Sequence, residues 1–365
     1  MKRLISILIV FLILFSAAGC SGRVGGTDKD SPVGAASWPT VEWSTSMPEQ
    51  QGLDSSILSK ADKRIKENYP NVYSLLVVRH GYLVYESYYQ GMGRDNANPV
   101  YSVTKSVMSA LTGIAIREKL IQNTGQKVSE FLPEYFTEVD DPHKKDIVIK
   151  DVLTMSGGLE SIDNDYNGYF SSMDWLQYAI EQPLTEQPGT KFVYNTGLTQ
   201  FLSCIITRTS KLKTADFADK FLFGPTGISV KNWDHDWEGY YGGGSGIYMK
   251  PVDMAKFGYL YLNKGSWDGK QVIPEEWIAE STKKQITVDQ EDDYGYLFWI
   301  ETIKDKMHGK DYFTYSASGA GGQKIMVVPE LDMVAVVTAN IQSASRDGED
   351  TKDIISEYVI PAATK

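Results

Sequence analysis

Cysteine is scarce in this chain of 365 residues: Cys20 and Cys204 are the only two. No disulfide framework and no cysteine-based zinc site can be built from them, so stability has to come from a packed core. Cys204 lies in the apolar run FLSCII and reads as a small buried hydrophobe. Histidine is nearly as rare, with His80, His143, His235 and His308 as the full set. His80 falls in a turn, while His143 and His308 sit in the charged runs DPHKKD and KMHGKD. His235 lies in WDHDW, with no catalytic spacing beside it. There is no G-x-S-x-G elbow and no H-E-x-x-H motif, so neither a Ser-His-Asp triad nor a zinc hydrolase finds support. Basic clusters are missing too. The formal net charge is −11, which speaks against a nucleic-acid partner and suits solubility beside a membrane.

Long apolar runs are also absent, apart from Leu4 to Phe15. That run is shorter than the roughly 20 residues a spanning helix needs. Lys2 and Arg3 precede it and Ser16-Ala17-Ala18-Gly19 follow, which is the layout of an export signal. Ala17-Ala18-Gly19-Cys20 resembles a bacterial lipobox, in which Cys20 becomes the lipidated first residue. The expected organisation is a signal peptide over 1–19, a lipidated Cys20 with a Gly/Ser/Asp-rich tether to residue 38, and one domain over 39–365. An exported protein follows, anchored to the outer face of the bacterial cytoplasmic membrane or held in the periplasm.

SLLVVRHGYLVYESYY (Ser74 to Tyr89) reads as two strands about an Arg79-His80-Gly81 turn. KIMVVPELDMVAVVTA (Lys324 to Ala339) repeats that design, with Pro329 to Asp332 as the turn. Helical patterns lie between them, at Tyr101–Leu120, Ile149–Thr154, Ser172–Ile180, Leu198–Thr209 and Pro251–Leu262. Strands at both ends with helices between predict an α+β fold, an antiparallel sheet flanked by helices with an inserted mainly helical lobe. The α/β lobe is expected over about 39–100 and 240–365, and the helical lobe over about 101–239.

Chemistry enters at YSVTKSVMSALTGIAI, where Ser102 and Lys105 share one helix face near a helix start. A lysine amine against a serine hydroxyl can activate it without histidine. Ser210/Lys213 and Ser281/Lys284 have the same spacing, but they lie in the surface-like runs TRTSKLK and ESTKKQ. The helix after Ser102 is apolar on most faces, through Val103, Val107, Ala110, Leu111, Ile114 and Ala115. Burial there lowers the lysine pKa toward that of a useful base, which singles out Ser102 and Lys105.

Two further elements stand out. In PGTKFVYNTGLTQFLSCII, a Pro-Gly turn and a short strand are expected to deliver Tyr194 just ahead of a helix. Beside a lysine ammonium its phenol pKa is expected to fall. In YSASGAGGQKIMVV, small residues lead into a strand and allow close approach to backbone N–H groups. Aromatics in loops, namely Tyr166, Tyr169, Trp175, Trp233, Trp237 and Tyr240, are candidates to line a cleft, although packing accounts for most such residues.

Taken in this order, the three elements resemble the serine β-lactamase and penicillin-binding-protein superfamily, in its class C-like branch with esterases and 6-aminohexanoate-dimer hydrolases. The resemblance runs from about Trp43 to Val359 and includes PEQQGL, IVIKDVLTMSGGL and GGGSGIYMKPVDMAKFGYLYLNKGSWDGKQVIPEEW. It implies Ser102 as nucleophile, Lys105 as the lysine of the first motif and Tyr194 as the tyrosine of the second. It further implies an oxyanion hole from the N–H groups of Ser102 and Ala320, and substrate-binding positions at Asn195, Thr196, Ser318 and Gly319. No metal or organic cofactor is implied, and the partner is a small-molecule or peptide substrate.

Two departures matter. Thr196 stands where the second motif usually has Asn, and Ala317-Ser318-Gly319 replaces Lys-Thr-Gly or His-Thr-Gly. Ala317 offers no charge to a substrate carboxylate, a loss of about 1.5–3 kcal/mol, or roughly ten- to hundredfold in affinity. The expectation is an exported serine hydrolase that cleaves an ester or amide through an acyl-enzyme on Ser102. A D-amino-acid peptidase or β-lactamase-like enzyme is the alternative within that chemistry, and a non-catalytic binding protein the alternative outside it.

Overall fold

Gln323–Val328 and Met333–Ala339 are buried along their whole length. Strands apolar on both faces need cover on both faces, and this requirement shapes the molecule. The computed structural model describes residues 37–290, 292–341 and 351–363. The expected signal peptide, Cys20 and most of the tether lie outside the described residues. Among the described residues, no helix is long and apolar enough to cross a membrane.

The main sheet has eight strands: β1 (Val72–Arg79), β2 (Tyr82–Tyr88), β3 (Ile286–Thr287), β4 (Asp293–Tyr294), β5 (Trp299–Asp305), β6 (Lys310–Gly319), β7 (Gln323–Val328) and β8 (Met333–Ala339). Their spatial order is β2-β1-β8-β7-β6-β5-β4-β3, every neighbour antiparallel. Both expected hairpins form, and they join through β1 and β8, where Leu76 faces Val336. His80 and Gly81 have φ of 51° and 81°, so both central residues of the first turn are left-handed, as a hairpin matched to the strand twist requires. The β5–β6 hairpin was not expected. In β5 the inward positions Glu301 and Asp305 are charged, like the exposed Lys304 between them, so no apolar alternation marks the strand.

Three of the four longer helices, α1 (Ser55–Asn68), α2 (Val103–Arg117) and α4 (Pro251–Leu262), flank the sheet, and α3 (Leu198–Ser210) packs on α2. The expected helix at Ser172–Ile180 begins at Trp175, because the Asp174 side chain caps it by accepting from the N–H groups of Leu176 and Gln177. Successive residues of β8 alternate between two cores. Val334 and Val336 join α2 and α4 on one face. Met333, Ala335 and Val337 join α1 and residues 354–362 on the other.

Helix α2 is buried continuously from Val103 to Ala115, as expected of a helix apolar on most faces. The fit is tight at Gly113, where an added Cβ would lie 2.3 Å from Cγ of Trp277. Helix propensity alone would make Gly113→Ala stabilising by about 1 kcal/mol. Overpacking against the indole is expected to reverse that sign and cost about 1–3 kcal/mol. Thermal unfolding of the Gly113→Ala protein checks this; a raised Tm would contradict the packing described.

Candidate active site

Ser102 caps the N-terminus of α2, with φ −70° and ψ −5°. Its predecessor Tyr101 has φ 48°, a strained value for a side chain of this size. The strain is held in place from both sides, since the Val100 N–H donates to the Ile247 carbonyl at 2.9 Å and the Val103 N–H donates to the Val100 carbonyl at 3.1 Å.

One turn along α2, Lys105 is only 1% exposed. Its Nζ lies 2.9 Å from Ser102 Oγ, 3.0 Å from Thr196 Oγ1 and 2.8 Å from the Gly244 carbonyl. These partners fix where the protons sit. The Gly244 carbonyl can only accept. The Thr196 hydroxyl gives its own proton to Asp163 Oδ1 at 2.6 Å, so it too must accept from the lysine. A neutral Lys105 therefore has two hydrogens committed and one lone pair left, directed at Ser102 Oγ. Burial pulls the Lys105 pKa down to about 7, while the Asp163 carboxylate opposes the fall.

Tyr194 lies beside this pair, with Lys105 Nζ 4.9 Å from the centre of its ring. The ring stacks on Trp299 at 6.2 Å between centroids. Its pKa was expected to fall, and the structure corrects that. Burial pushes the phenol above its ordinary value, and proximity to Ser102 offsets this only in part. The lysine that was to lower it is itself desolvated, so it supplies no steady positive charge. The segment leading to Tyr194 is also not a strand: it pairs with no ladder, and the Val193 N–H instead donates to the Met155 carbonyl at 2.7 Å.

The third element closes the site from the sheet. Gly319 ends β6, and a Cβ there would lie 2.4 Å from the Val100 carbonyl and 3.2 Å from the Ser102 nitrogen. Only glycine lets the strand come this close. Ala320 follows directly. Among the described residues, no turn, cap or side-chain bond takes up the N–H of Ser102 or Ala320. Ala317 is 1% exposed and belongs to the core, so its side chain takes no part in the cleft.

Two cavities meet at Ser102, one of about 670 Å³ and one of about 350 Å³. Of the aromatics singled out from sequence, Tyr166, Trp175 and Trp233 line the larger arm. Tyr169 is buried, and Trp237 and Tyr240 line neither arm. Thr196 lines the larger arm, while Ser318 and Gly319 line the smaller. Asn195 does not reach the cleft. Its amide donates to the carbonyls of Leu159 and Glu160, and its oxygen accepts from the Gly197 N–H at 2.9 Å, so it clamps the loop that positions Thr196.

Sequence reasoning missed Asp163, Gly244 and Trp299. The Gly242-Gly243-Gly244 run was the available signal for the second: a Cβ on Gly243 would lie 2.0 Å from the Thr199 carbonyl, and one on Gly244 would lie 2.6 Å from Thr196. Backbone that close to α3 is what brings the Gly244 carbonyl onto the lysine. Asp163 carries no such mark. Among the described residues, no group of three or more His, Cys, Asp or Glu side chains converges to hold a metal ion.

Residues 66–359 match the family model for beta-lactamases. The chain belongs to the beta-lactamase family. A 6-aminohexanoate-dimer hydrolase of Paenarthrobacter ureafaciens is 22% identical over 307 residues, which is 76% of this chain and 74% of that one. The solved structure of an octameric penicillin-binding protein homologue from Pyrococcus abyssi superposes with a TM-score of 0.65 at 18% identity, covering 84% of this chain and 76% of that one. EstCE1, a hydrolase with promiscuous acyltransferase activity, superposes with a TM-score of 0.69 at 14% identity, covering 86% and 99%. These likenesses bear out the β-lactamase/transpeptidase-like fold.

The charge balance at Lys105 is open to direct measurement. Asp163→Asn removes the one carboxylate that raises the lysine pKa. Side-chain NMR of isotopically labelled lysine is expected to show Lys105 titrating near 7 in the native protein and lower in the variant. A midpoint near 10 in the native protein would contradict the burial described.

Proposed function

We propose that this beta-lactamase-family protein is a serine hydrolase that cleaves an ester or amide of a small substrate by acyl transfer through Ser102. One observation carries the reading: Lys105 Nζ is 2.9 Å from Ser102 Oγ while its other two hydrogens are held elsewhere. An amine with a pKa about 7 is substantially neutral at physiological pH, so it can take the serine proton as Oγ attacks the carbonyl carbon. The oxyanion that forms is held by the N–H groups of Ser102 and Ala320. Tyr194, whose raised pKa keeps it protonated, gives its proton to the leaving group as the carbonyl–heteroatom bond breaks. The proton now on Lys105 restores the pair. Water then attacks the acyl-enzyme, with Lys105 and Tyr194 accepting its proton and returning one to Ser102 Oγ.

Ester and small-amide substrates fit this cleft better than β-lactams or carboxy-terminal peptides. Ala317 brings no cation to the site, and Asp292 places a carboxylate in the smaller arm. Turnover of nitrocefin is expected to fall well below that of nitrophenyl esters. A purely binding role is disfavoured because the proton-accepting lysine and the proton-holding tyrosine both face the serine. The apolar N-terminal run and Cys20 support export and lipid anchoring as part of the same proposal.

Mutation tests the assignment. Ser102→Ala is expected to abolish labelling by a fluorophosphonate probe together with esterase activity. Lys105→Ala and Tyr194→Phe should each lower kcat/KM by about a hundred- to ten-thousandfold. Labelling that persists in Ser102→Ala, or that maps to Ser210 or Ser281, would overturn the reading.

A further inference from the structure

The two arms of the cleft are not equivalent, and their walls say which part of a substrate each one takes. Tyr194 lines the smaller arm and not the larger. On the serine-hydrolase reading proposed above, the leaving group receives its proton from Tyr194, so it must leave through the smaller arm. The acyl chain then occupies the larger arm of about 670 Å³.

The chemistry of that larger arm is one-sided. Its apolar walls are ring faces, including Tyr101, Phe170, Trp175 and Trp233. The Trp233 indole N–H is already donated to the Gly242 carbonyl at 2.8 Å, so this residue offers the arm a ring but no donor. Among its polar groups Asp234 is the one carboxylate, beside hydroxyls and an amide that are uncharged. Asp234 accepts from the Asn232 amide at 2.7 Å, and among the described residues no Lys or Arg forms an ion pair with it. The His235 Nδ1 sits 2.7 Å from the Asp236 carbonyl, which can only accept, so Nδ1 carries a hydrogen and is already engaged. No Lys or Arg lines either arm among the described residues. Aromatic faces around one unpaired carboxylate attract cations and reject anions.

We propose that the larger arm is the acyl subsite and that it selects acyl groups bearing a positive charge, an ammonium or quaternary ammonium held by Asp234 among the aromatic faces. An acyl group ending in a carboxylate meets like charge there, and no Lys or Arg among the described residues lines the arm to offset it. The discrimination is local to the arm and separate from the bond-breaking chemistry at Ser102.

Three 4-nitrophenyl esters with acyl chains of equal length test this, ending in trimethylammonium, in the isosteric tert-butyl group, or in carboxylate. At low salt and pH 8 the cationic ester is expected to exceed the neutral one in kcat/KM by about tenfold, the size of a 1.4 kcal/mol preference. The carboxylate ester should fall below the neutral one. In Asp234→Asn the cationic-to-neutral ratio should drop toward one, whereas Asp292→Asn, in the other arm, should leave that ratio in place. Equal rates for the three esters, a carboxylate preference, or a ratio that follows Asp292 would overturn the proposal. Calorimetric binding of the same esters to Ser102→Ala, which cannot be acylated, gives a second readout that needs no turnover and no Asp234 variant. A preference for the cationic ester supports the proposal there, and equal or reversed affinities overturn it. A native protein that labels with fluorophosphonate but shows no charge preference loses this inference alone; one that does not label loses the hydrolase reading, and calorimetry still decides the charge preference.

Discussion

Lys105 has 1% of its surface in water and three hydrogen-bond partners arranged around its amine. Holding an ammonium there is costly, because desolvation disfavours the charged form. Much of the surrounding structure serves that placement. Helix α2 is apolar on most faces, so that it can enter the core and carry the lysine with it. The glycine run before Ser245 brings one carbonyl within reach, and the loop clamped by Asn195 brings one hydroxyl. Asp163 stands one bond further out, where it steadies the lysine through Thr196 without pairing to it directly.

The same desolvation acts on Tyr194 with the opposite sign. Burial lowers the pKa of a base and raises that of an acid, so one dry environment leaves the lysine free to accept a proton and the tyrosine loaded with one to give. No histidine is needed, which agrees with a chain whose four histidines all lie outside this arrangement. Thr196, at the position where Asn was expected, accepts directly from Lys105 at 3.0 Å and passes its own hydrogen on to Asp163.

Much of this was legible in the sequence, for identifiable reasons. The strongly apolar hairpins and α2 announced themselves, because two-sided burial leaves an unbroken apolar run. Ser102 and Lys105 could be chosen among three equal spacings because only their helix was apolar throughout. The β5–β6 hairpin stayed hidden because charged residues, Glu301 and Asp305, occupy inward positions of β5 where apolar ones would mark a strand. Asp163 stayed hidden because it sits in a single short turn, Ile162–Asn164, which has no period, and Trp299 because it opens β5, a strand that the sequence did not reveal. The direction of the Tyr194 pKa was misjudged because the sequence shows which charges are near and not how dry they are.

On the proposed reading, Lys105 loses its proton near neutral pH and thereby frees Ser102 to react. The rate at which a fluorophosphonate labels Ser102, followed across pH 5.5 to 10.5, measures that step without reference to any natural substrate. A rate that rises through a single midpoint near 7 and then levels off is the result expected. A rate that is flat across the range, or that rises only near 10, would mean that Lys105 is not the group that activates the serine.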